Sequence, residues 1–175
     1  IQWNSGKIEK LANLEANQTI VLSEENASAN KYLNTHNNYW FNKTNASQLN
    51  YTNKENEFND FAKEILLPFK QSTLGPSISS GDVNNDNLED VFIGGAKGQA
   101  AQLFIQNNNT YKKKLNKVFL EDANYEDMES LFIDIDGDND QDLYVVSGGN
   151  EFNQRSENLK DRIYLNDGNG NFSRS

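Results

Sequence analysis

Two stretches of the chain repeat one order of residues, and this repetition decides the predicted fold. The first reads Asp82-Val-Asn84-Asn-Asp86-Asn-Leu88-Glu-Asp90-Val-Phe-Ile-Gly94-Gly95, and the second reads Asp134-Ile-Asp136-Gly-Asp138-Asn-Asp140-Gln-Asp142-Leu-Tyr-Val-Val-Ser-Gly148-Gly149. In both, an Asp-rich loop is followed by an apolar strand and a Gly-Gly pair. The second copy begins 52 residues after the first. A period near 50 residues with several short strands per unit is typical of β-propeller blades.

The residues after each Gly-Gly pair extend the β pattern. A further apolar strand follows in each unit, at Gln102–Gln106 and at Arg162–Leu165, and the second unit carries an insertion at Asn150–Asp161. We therefore predict a mainly β fold in which residues 76–175 form antiparallel β-sheet blades of a partial β-propeller with calcium-binding loops.

The first 75 residues carry weaker signals. Residues 1–24 alternate apolar and polar positions as strands do, and they include a predicted strand at Thr19–Leu22. Apolar residues spaced three and four apart within 55–67 predict one short amphipathic helix. We expect a short, partly irregular N-terminal part with some β structure.

The Asp-rich loops have the ligand chemistry of a calcium site. A curled loop turns every second side chain inward, so positions 1, 3, 5 and 9 present side-chain oxygens and position 7 presents its backbone carbonyl. Such a set of hard oxygen ligands suits Ca²⁺ better than Mg²⁺, which prefers a tighter octahedron with retained water. We predict two structural Ca²⁺ sites, with the ligands Asp82, Asn84, Asp86, Leu88 and Asp90 in the first loop and Asp134, Asp136, Asp138, Asp140 and Asp142 in the second.

The loops differ from an EF-hand, which requires Glu at position 12 and helices on both sides. Position 12 is Ile93 in the first loop and Val145 in the second, and the flanking residues have a strand pattern. Position 6, where a sharp turn is needed, is Asn87 or Asn139, and Asn is the residue that best tolerates a positive φ after Gly. A solvated acidic turn without an ion is the alternative, which the recurrence of the loop in register disfavours.

Charge and composition exclude several classes of function. The chain has 16 basic and 26 acidic residues, and 18 of the acidic residues lie in 76–175, which argues against binding to nucleic-acid phosphates. It has no cysteine, which excludes disulfides, thiol catalysis and Cys-ligated zinc. The single histidine, His36, leaves little room for a His-based metal site and is expected to be a surface loop residue. No apolar run approaches 18 residues, so no transmembrane segment is predicted.

The repeated unit resembles the FG-GAP/VCBS repeat of integrin-α-like β-propellers and of many bacterial secreted proteins. Phe92-Ile93-Gly94-Gly95-Ala96 after the first loop, and Tyr144–Gly149 after the second, carry this resemblance. It implies Ca²⁺ binding by the same loop positions already assigned. The departure is Asn for Gly at position 6 in both loops.

Residues 1–26 resemble the C-terminal end of an ASPIC/UnbV domain, as in cartilage acidic protein-like and large Bacteroidetes surface proteins. The residues that carry this resemblance are Ile1-Gln-Trp3-Asn-Ser-Gly6-Lys7 and Asn17-Gln-Thr-Ile-Val-Leu22. The implied organisation is an ASPIC/UnbV-like end at 1–26, a connecting segment at 27–75, and two repeats at about 76–125 and 126–175. We expect a piece of a longer secreted or surface-attached protein.

These observations predict a calcium-binding, non-enzymatic interaction or adhesion module. Its expected partner is a protein or glycan at a cell surface, and its expected location is extracellular or at the surface of a bacterial outer membrane. One alternative is a hydrolase of glycans or phosphoesters that uses an acidic pair such as Glu126–Asp127, although such a pair is usually a solvated turn. Another is a glycan-binding module that uses Tyr39, Trp40 and Phe41. We favour the interpretation that these aromatic residues anchor a loop onto a core over the interpretation that they form a surface for ligand stacking.

Overall fold

The computed structural model describes residues 1–5, 7–28, 49–108 and 110–175 of the 175-residue chain. The chain divides into two compact units, Ile1–Thr44 and Asn45–Ser175. The domain boundaries given by the sequence, at 26 and 75, remain predictions.

The described residues of the first unit form few regular elements. Isolated β-bridges join Gln2 to Ile8 and Ile8 to Ser28, and a 3₁₀ helix spans Glu24–Asn26. The predicted strand at Thr19–Leu22 does not form, so that prediction is wrong. Among the described residues, no neighbouring strand pairs with this stretch, and an alternating pattern does not make a strand without such a partner.

The second unit is mainly β, as the sequence predicts. It contains two four-stranded antiparallel sheets with the strand orders β1-β2-β3-β4 and β5-β6-β7-β8. Its two described α-helices are each shorter than two turns. The elements in chain order are α1 (Asp60–Lys63), β1 (Ile78–Gly81), β2 (Asp90–Ile93), β3 (Gln102–Asn107), β4 (Thr110–Lys114), α2 (Lys117–Glu121), β5 (Asp127–Ile133), β6 (Asp142–Ser147), β7 (Arg162–Leu165) and β8 (Ser173–Arg174).

One face of the first sheet packs against one face of the second, and the core lies between them. Phe92 and Leu103 are cross-strand neighbours on the contributing face of the first sheet. Across the interface, Phe92 meets Phe132 edge to face, with ring centroids 6.5 Å apart. Leu143 and Tyr164 extend the contributing face of the second sheet. Burial of these large side chains is the main source of stability at this contact.

Residues of helix α2 and of the segment before β8 cover one side of this core. Helix α2 contributes Val118 and Phe119, both buried. The ring of Phe119 lies 5.4 Å from that of Phe92 and 5.2 Å from that of Tyr164, both edge to face. Phe172, just before β8, completes the cluster at 5.7 Å from Phe119.

The two sheets pack head to tail, because they contribute different faces to their contact. Phe92 faces the core, whereas Tyr144, which follows it by 52 residues at the equivalent position, lies on the opposite face of its own sheet. Leu131, Tyr144 and Ile163 form a cross-strand row on that outer face. Leu131 is 55 % exposed. A head-to-tail contact of this kind can be repeated by further sheets, as in a propeller.

The predicted amphipathic helix over 55–67 is reduced to the four residues of α1, so that prediction is wrong in its extent. The helix ends because Glu64 adopts an extended conformation, with φ −137° and ψ 91°. Ile65 and Leu66 are strongly exposed, at 80 % and 91 %, instead of packing on a helix face. The buried member of this segment is Asp60, which accepts hydrogen bonds from the backbone N–H groups at 71 and 72. Hydrogen bonds to Asp60 therefore hold this segment in place, whereas the apolar spacing predicts that a helix face packs on the core.

Candidate metal centre

The two Asp-rich loops occupy equivalent places in the two sheets. The first joins β1 to β2 and the second joins β5 to β6. Each pair is an antiparallel hairpin whose register ends at the loop, with Gly81 opposite Asp90 and Ile133 opposite Asp142. The β hairpins therefore place position 1 and position 9 of each loop side by side at the same end of the sheet.

In the first loop, the backbone folds around the side chain of position 1. Asp82 Oδ1 accepts hydrogen bonds from the N–H groups of Asn84 (3.3 Å) and Asp86 (3.1 Å), and its Oδ2 accepts one from Asn87 (2.7 Å). Asp86 Oδ1 accepts from the N–H of Leu88 at 2.9 Å. The loop thus curls with the side chains of positions 1 and 5 turned inward, as the spacing predicts.

The second loop repeats two of these contacts, from position 6 to position 1 and from position 7 to position 5. Asp134 accepts hydrogen bonds from the N–H groups of Gly137 (2.7 Å) and Asn139 (3.2 Å), and Asp138 accepts one from Asp140 (3.0 Å). Among the residues that the structure describes, Asp134, Asp136 and Asp138 are the acidic group whose oxygens lie within 4.8 Å of one another. All three side chains are exposed. The structure therefore brings together positions 1, 3 and 5 of this loop, and their hard oxygen donors fit Ca²⁺.

Position 9 of each loop is a buried carboxylate. Asp90 and Asp142 are both 0 % exposed. Asp90 accepts hydrogen bonds from the N–H groups of Val83 and Gln106, and Asp142 accepts from those at the equivalent positions, 135 and 166. Each oxygen keeps lone pairs beyond these bonds. The role of these two residues as metal ligands stays a prediction, whereas their role in tying each loop to the next strand is directly visible.

The turn at position 6 forms as predicted. Asn87 has φ 65° and Asn139 has φ 71°, both in the left-handed region. Position 4 also has a positive φ, at Asn85 (59°) and Gly137 (84°), which the sequence analysis does not anticipate. The occurrence of Asn in one loop and Gly in the other at position 4 could have predicted this conformation, since these two residues adopt a positive φ most readily.

Burial, together with the mutual repulsion of neighbouring carboxylates, raises the pKa values of several loop residues. Burial, with the charges of Asp138 and Asp142, raises the pKa of Asp140 to about 6. Loss of hydration and the charge of Asp138 raise the pKa of Asp136, and burial raises that of Asp90. A cation bound in the loops would remove this repulsion. Position 7 was predicted to bind through its carbonyl, at Leu88 and Asp140, and this stays a prediction.

A comparison with protein families identifies a known repeat in the part of the chain that contains both Asp-rich loops. Residues 82–145 match the FG-GAP-like repeat. The matched range begins at position 1 of the first loop, includes the whole of the second loop, and ends within β6. A search of curated proteins and a search of solved structures found no match to this chain. The resemblance of residues 1–26 to an ASPIC/UnbV domain stays a prediction.

A third loop, between β7 and β8 and outside the matched range, contacts both Asp-rich loops. The side-chain amide of Asn166 donates to the carbonyl oxygen of Val83 at 2.8 Å and to that of Gln141 at 3.1 Å. Asn166 therefore joins the first Asp-rich loop to the second. The sequence analysis assigns no role to Asn166, because its contacts lie 83 and 25 residues away.

The acidic pair Glu126–Asp127 lies at the other end of the two sheets and is not a solvated turn, so that interpretation is wrong. Glu126 is 0 % exposed and Asp127 is also buried. Asp127 forms a buried ion pair with Arg162 and accepts a hydrogen bond from the N–H of Gly95 at 2.7 Å. The partner that makes burial of Asp127 tolerable lies 35 residues further along the chain.

Some predicted features lie outside the described residues. They are His36 and the aromatic residues Tyr39, Trp40 and Phe41. In the part of the chain that the structure describes, no helix has the length and apolar character needed to cross a membrane.

Proposed function

We propose that this chain is a calcium-stabilised, non-enzymatic interaction module built on FG-GAP-like sheets. The observation that carries the proposal is the recurrence of one Asp-rich loop, with equivalent hydrogen bonds, at the same place in two sheets. In both loops position 1 accepts the N–H of position 6, and position 5 accepts the N–H of position 7. A loop that served only as an acidic turn has no need of the same ligand spacing twice.

The proposed role of calcium is structural. In the second loop three carboxylates lie within 4.8 Å of one another, and the pKa values of Asp136 and Asp140 are raised. Binding of Ca²⁺ converts this repulsion into attraction and fixes each loop against its strands. The residues that would hold the ions are those assigned from the sequence at positions 1, 3, 5, 7 and 9.

The burial of the acidic pair Glu126–Asp127 supports the non-enzymatic character, because the hydrolase alternative requires this pair to act on a substrate. Asp127 is engaged by Arg162 and by the N–H of Gly95, and Glu126 is buried beside it. A general acid or base must reach a substrate. Carboxylates that are buried in this way suit a structural role better.

The proposed partner is a protein or a glycan, and the proposed location is extracellular or at the surface of a bacterial outer membrane. Extracellular modules bind Ca²⁺ with dissociation constants of about 10⁻⁴–10⁻³ M, which suits sites that are occupied outside cells. Recognition by loops on a rigid β scaffold is a common arrangement, because loops vary without disturbing the sheets.

Thermal unfolding in EDTA and in millimolar Ca²⁺ tests the proposal. An ion at about 100 times its Kd adds about 2.7 kcal/mol per site, and this raises Tm by roughly 5–11 °C in a chain of this size. We expect Asp82→Asn and Asp134→Asn each to reduce the shift. Glu89→Gln is the matched control, since Glu89 is an exposed residue of the first loop at a position that is not a ligand.

An unchanged Tm on addition of Ca²⁺ would contradict the proposal. So would an equal loss of the shift in Glu89→Gln, because a general effect of net charge would then explain it. Turnover of a glycan or phosphoester that disappears in Glu126→Gln would contradict the non-enzymatic part alone.

A further inference from the structure

Glu126 and Glu151 are two carboxylate residues at the end of the sheets opposite the Asp-rich loops. Glu126 immediately precedes β5, and Glu151 follows β6. Because β5 and β6 run antiparallel, these two residues meet at the end remote from the loop between the strands. Glu55, from the segment that precedes α1, acts on the same place, since its charge and that of Glu151 both raise the pKa of Glu126.

Two of these carboxylates have buried oxygens without partners. Glu126 is 0 % exposed, and its Oε2 is fixed by the backbone N–H of Lys97 at 2.6 Å. Among the residues that the structure describes, its Oε1 has no hydrogen-bond partner and neither oxygen of Glu151 has one, although all three atoms are buried. Buried polar atoms are nearly always partnered, so three free carboxylate oxygens at one place indicate a missing donor, water or ion.

A glycine stands beside each free carboxylate. A Cβ added to Gly75 would lie 3.3 Å from Glu126 Oε1 and 2.8 Å from the carbonyl oxygen of Asp127. A Cβ added to Gly149 would lie 2.9 Å from Glu151 Oε2. The lack of a side chain at these two positions lets each carboxylate pack closely against the backbone.

The cations nearby are already engaged. Arg162 pairs with Asp127 and lies over the ring of Tyr125. The Nζ atom of Lys97 lies over the ring of Phe152, 4.7 Å from its centroid. Within the described residues, no ion pair involves Glu55, Glu126 or Glu151. Lys63 lies close by, but its Nζ donates to the carbonyl oxygens of Asn150 and Phe152. Among the described residues, the carboxylates of Glu126 and Glu151 therefore have no cation paired with them.

We propose that Glu126 and Glu151 bind a divalent metal ion at this end of the sheets, separate from the loop sites. Carboxylate oxygens are hard donors that suit a divalent ion, and the burial of these oxygens favours a small ion over an organic cation. Glu55 is exposed, and its Oε1 accepts a hydrogen bond from the side-chain amide of Asn53, so it is not assigned as a ligand.

The expected coordination differs from that of the loops. Glu55, Glu126 and Glu151 do not place three ligand oxygens within 4.8 Å of one another, whereas Asp134, Asp136 and Asp138 do. Two protein carboxylates with retained water is the arrangement that Mg²⁺ favours, whereas Ca²⁺ takes more protein oxygens. We therefore assign this site to a Mg²⁺-like ion, for which Mn²⁺ is a spectroscopic substitute.

The test counts Mn²⁺ ions bound to the whole chain by the loss of the free Mn²⁺ EPR signal. We expect the double variant Glu126→Gln/Glu151→Gln to bind one ion fewer than the wild type. The matched control is Glu89→Gln/Glu129→Gln, which removes the same charge from two exposed positions and should bind as many ions as the wild type. Circular dichroism verifies that each variant is folded.

A second variant separates this proposal from the calcium proposal. Asp134→Asn/Asp136→Asn should lose the ion of the second loop and keep the one at Glu126 and Glu151. If Glu126→Gln/Glu151→Gln binds as many ions as the wild type, the proposal made here is overturned, whatever the loop variant does. The same holds if the control pair loses an ion as well, because binding would then follow net charge.

Discussion

Replacing Glu126 by glutamine should stabilise the metal-free protein, by an amount that depends on pH. Burial, reinforced by the charges of Glu55, Glu151 and Asp127, raises the pKa of Glu126 from 4.5 to about 7. The folded state therefore holds this proton more tightly than the unfolded state does. The stability contributed by the neutral form is fully present below pH 4.5 and is lost as the pH rises through 7.

The magnitude follows from the shift. One pKa unit corresponds to about 1.4 kcal/mol, so the raised value corresponds to about 3 kcal/mol between pH 4.5 and pH 8. Glutamine keeps the acceptor for the N–H of Lys97 and carries no charge at any pH. We expect the variant and the wild type to be about equally stable at pH 4.5, and the variant to be more stable by about 3 kcal/mol at pH 8.

Urea denaturation in EDTA over this pH range measures the difference in the free energy of unfolding. Carboxylates remote from Glu126 titrate alike in both proteins, so their effects cancel in the difference. Glu129→Gln is the control, because Glu129 lies on the same strand, β5, and is exposed. A stability difference that stays constant with pH would refute the reasoning, and so would an equal pH dependence in the control.

Three further substitutions test other parts of the account. Asn139→Val should destabilise the protein by about 1–3 kcal/mol, because valine is strained at φ 71°, whereas Asn139→Gly should leave Tm nearly unchanged; an equal loss in both variants would contradict this. Arg162→Ala leaves Asp127 buried without its counter-charge and should cost about 3–5 kcal/mol in urea denaturation, and a loss below about 1 kcal/mol would show that the pair is solvated. Leu143→Ala opens the fully buried contact between the sheets and should cost about 2–5 kcal/mol, measured as a lower Tm of a single cooperative transition; separate transitions for the two sheets would contradict this.

The parts of the fold that the sequence predicts are those fixed by local chemistry. The spacing of Asp134, Asp136 and Asp138 predicts a curled loop, and the hydrogen bonds of that loop join residues two to five positions apart. The positive φ of Asn87 and Asn139 follows from the turn itself. Short-range contacts of this kind can be predicted from the sequence because the residues that form them lie close together in the chain.

The parts that the sequence does not predict depend on distant contacts. The burial of Asp127 depends on Arg162, and that of Asp60 on backbone donors 11 and 12 residues away. The Thr19–Leu22 stretch has a strand-like pattern but lacks a partner, and the 55–67 segment has helical spacing but is held by polar contacts. Periodicity indicates which face is apolar, and it does not indicate what that face meets.

The most direct test of the central claim is an anomalous difference map from crystals grown in Ca²⁺. The account predicts one peak in each Asp-rich loop, with oxygen ligands at about 2.3–2.6 Å from the ion, among them those of Asp82 and Asp86 in the first loop and of Asp134, Asp136 and Asp138 in the second. Ordered loops without a peak at millimolar Ca²⁺ would contradict the claim that these loops are calcium sites.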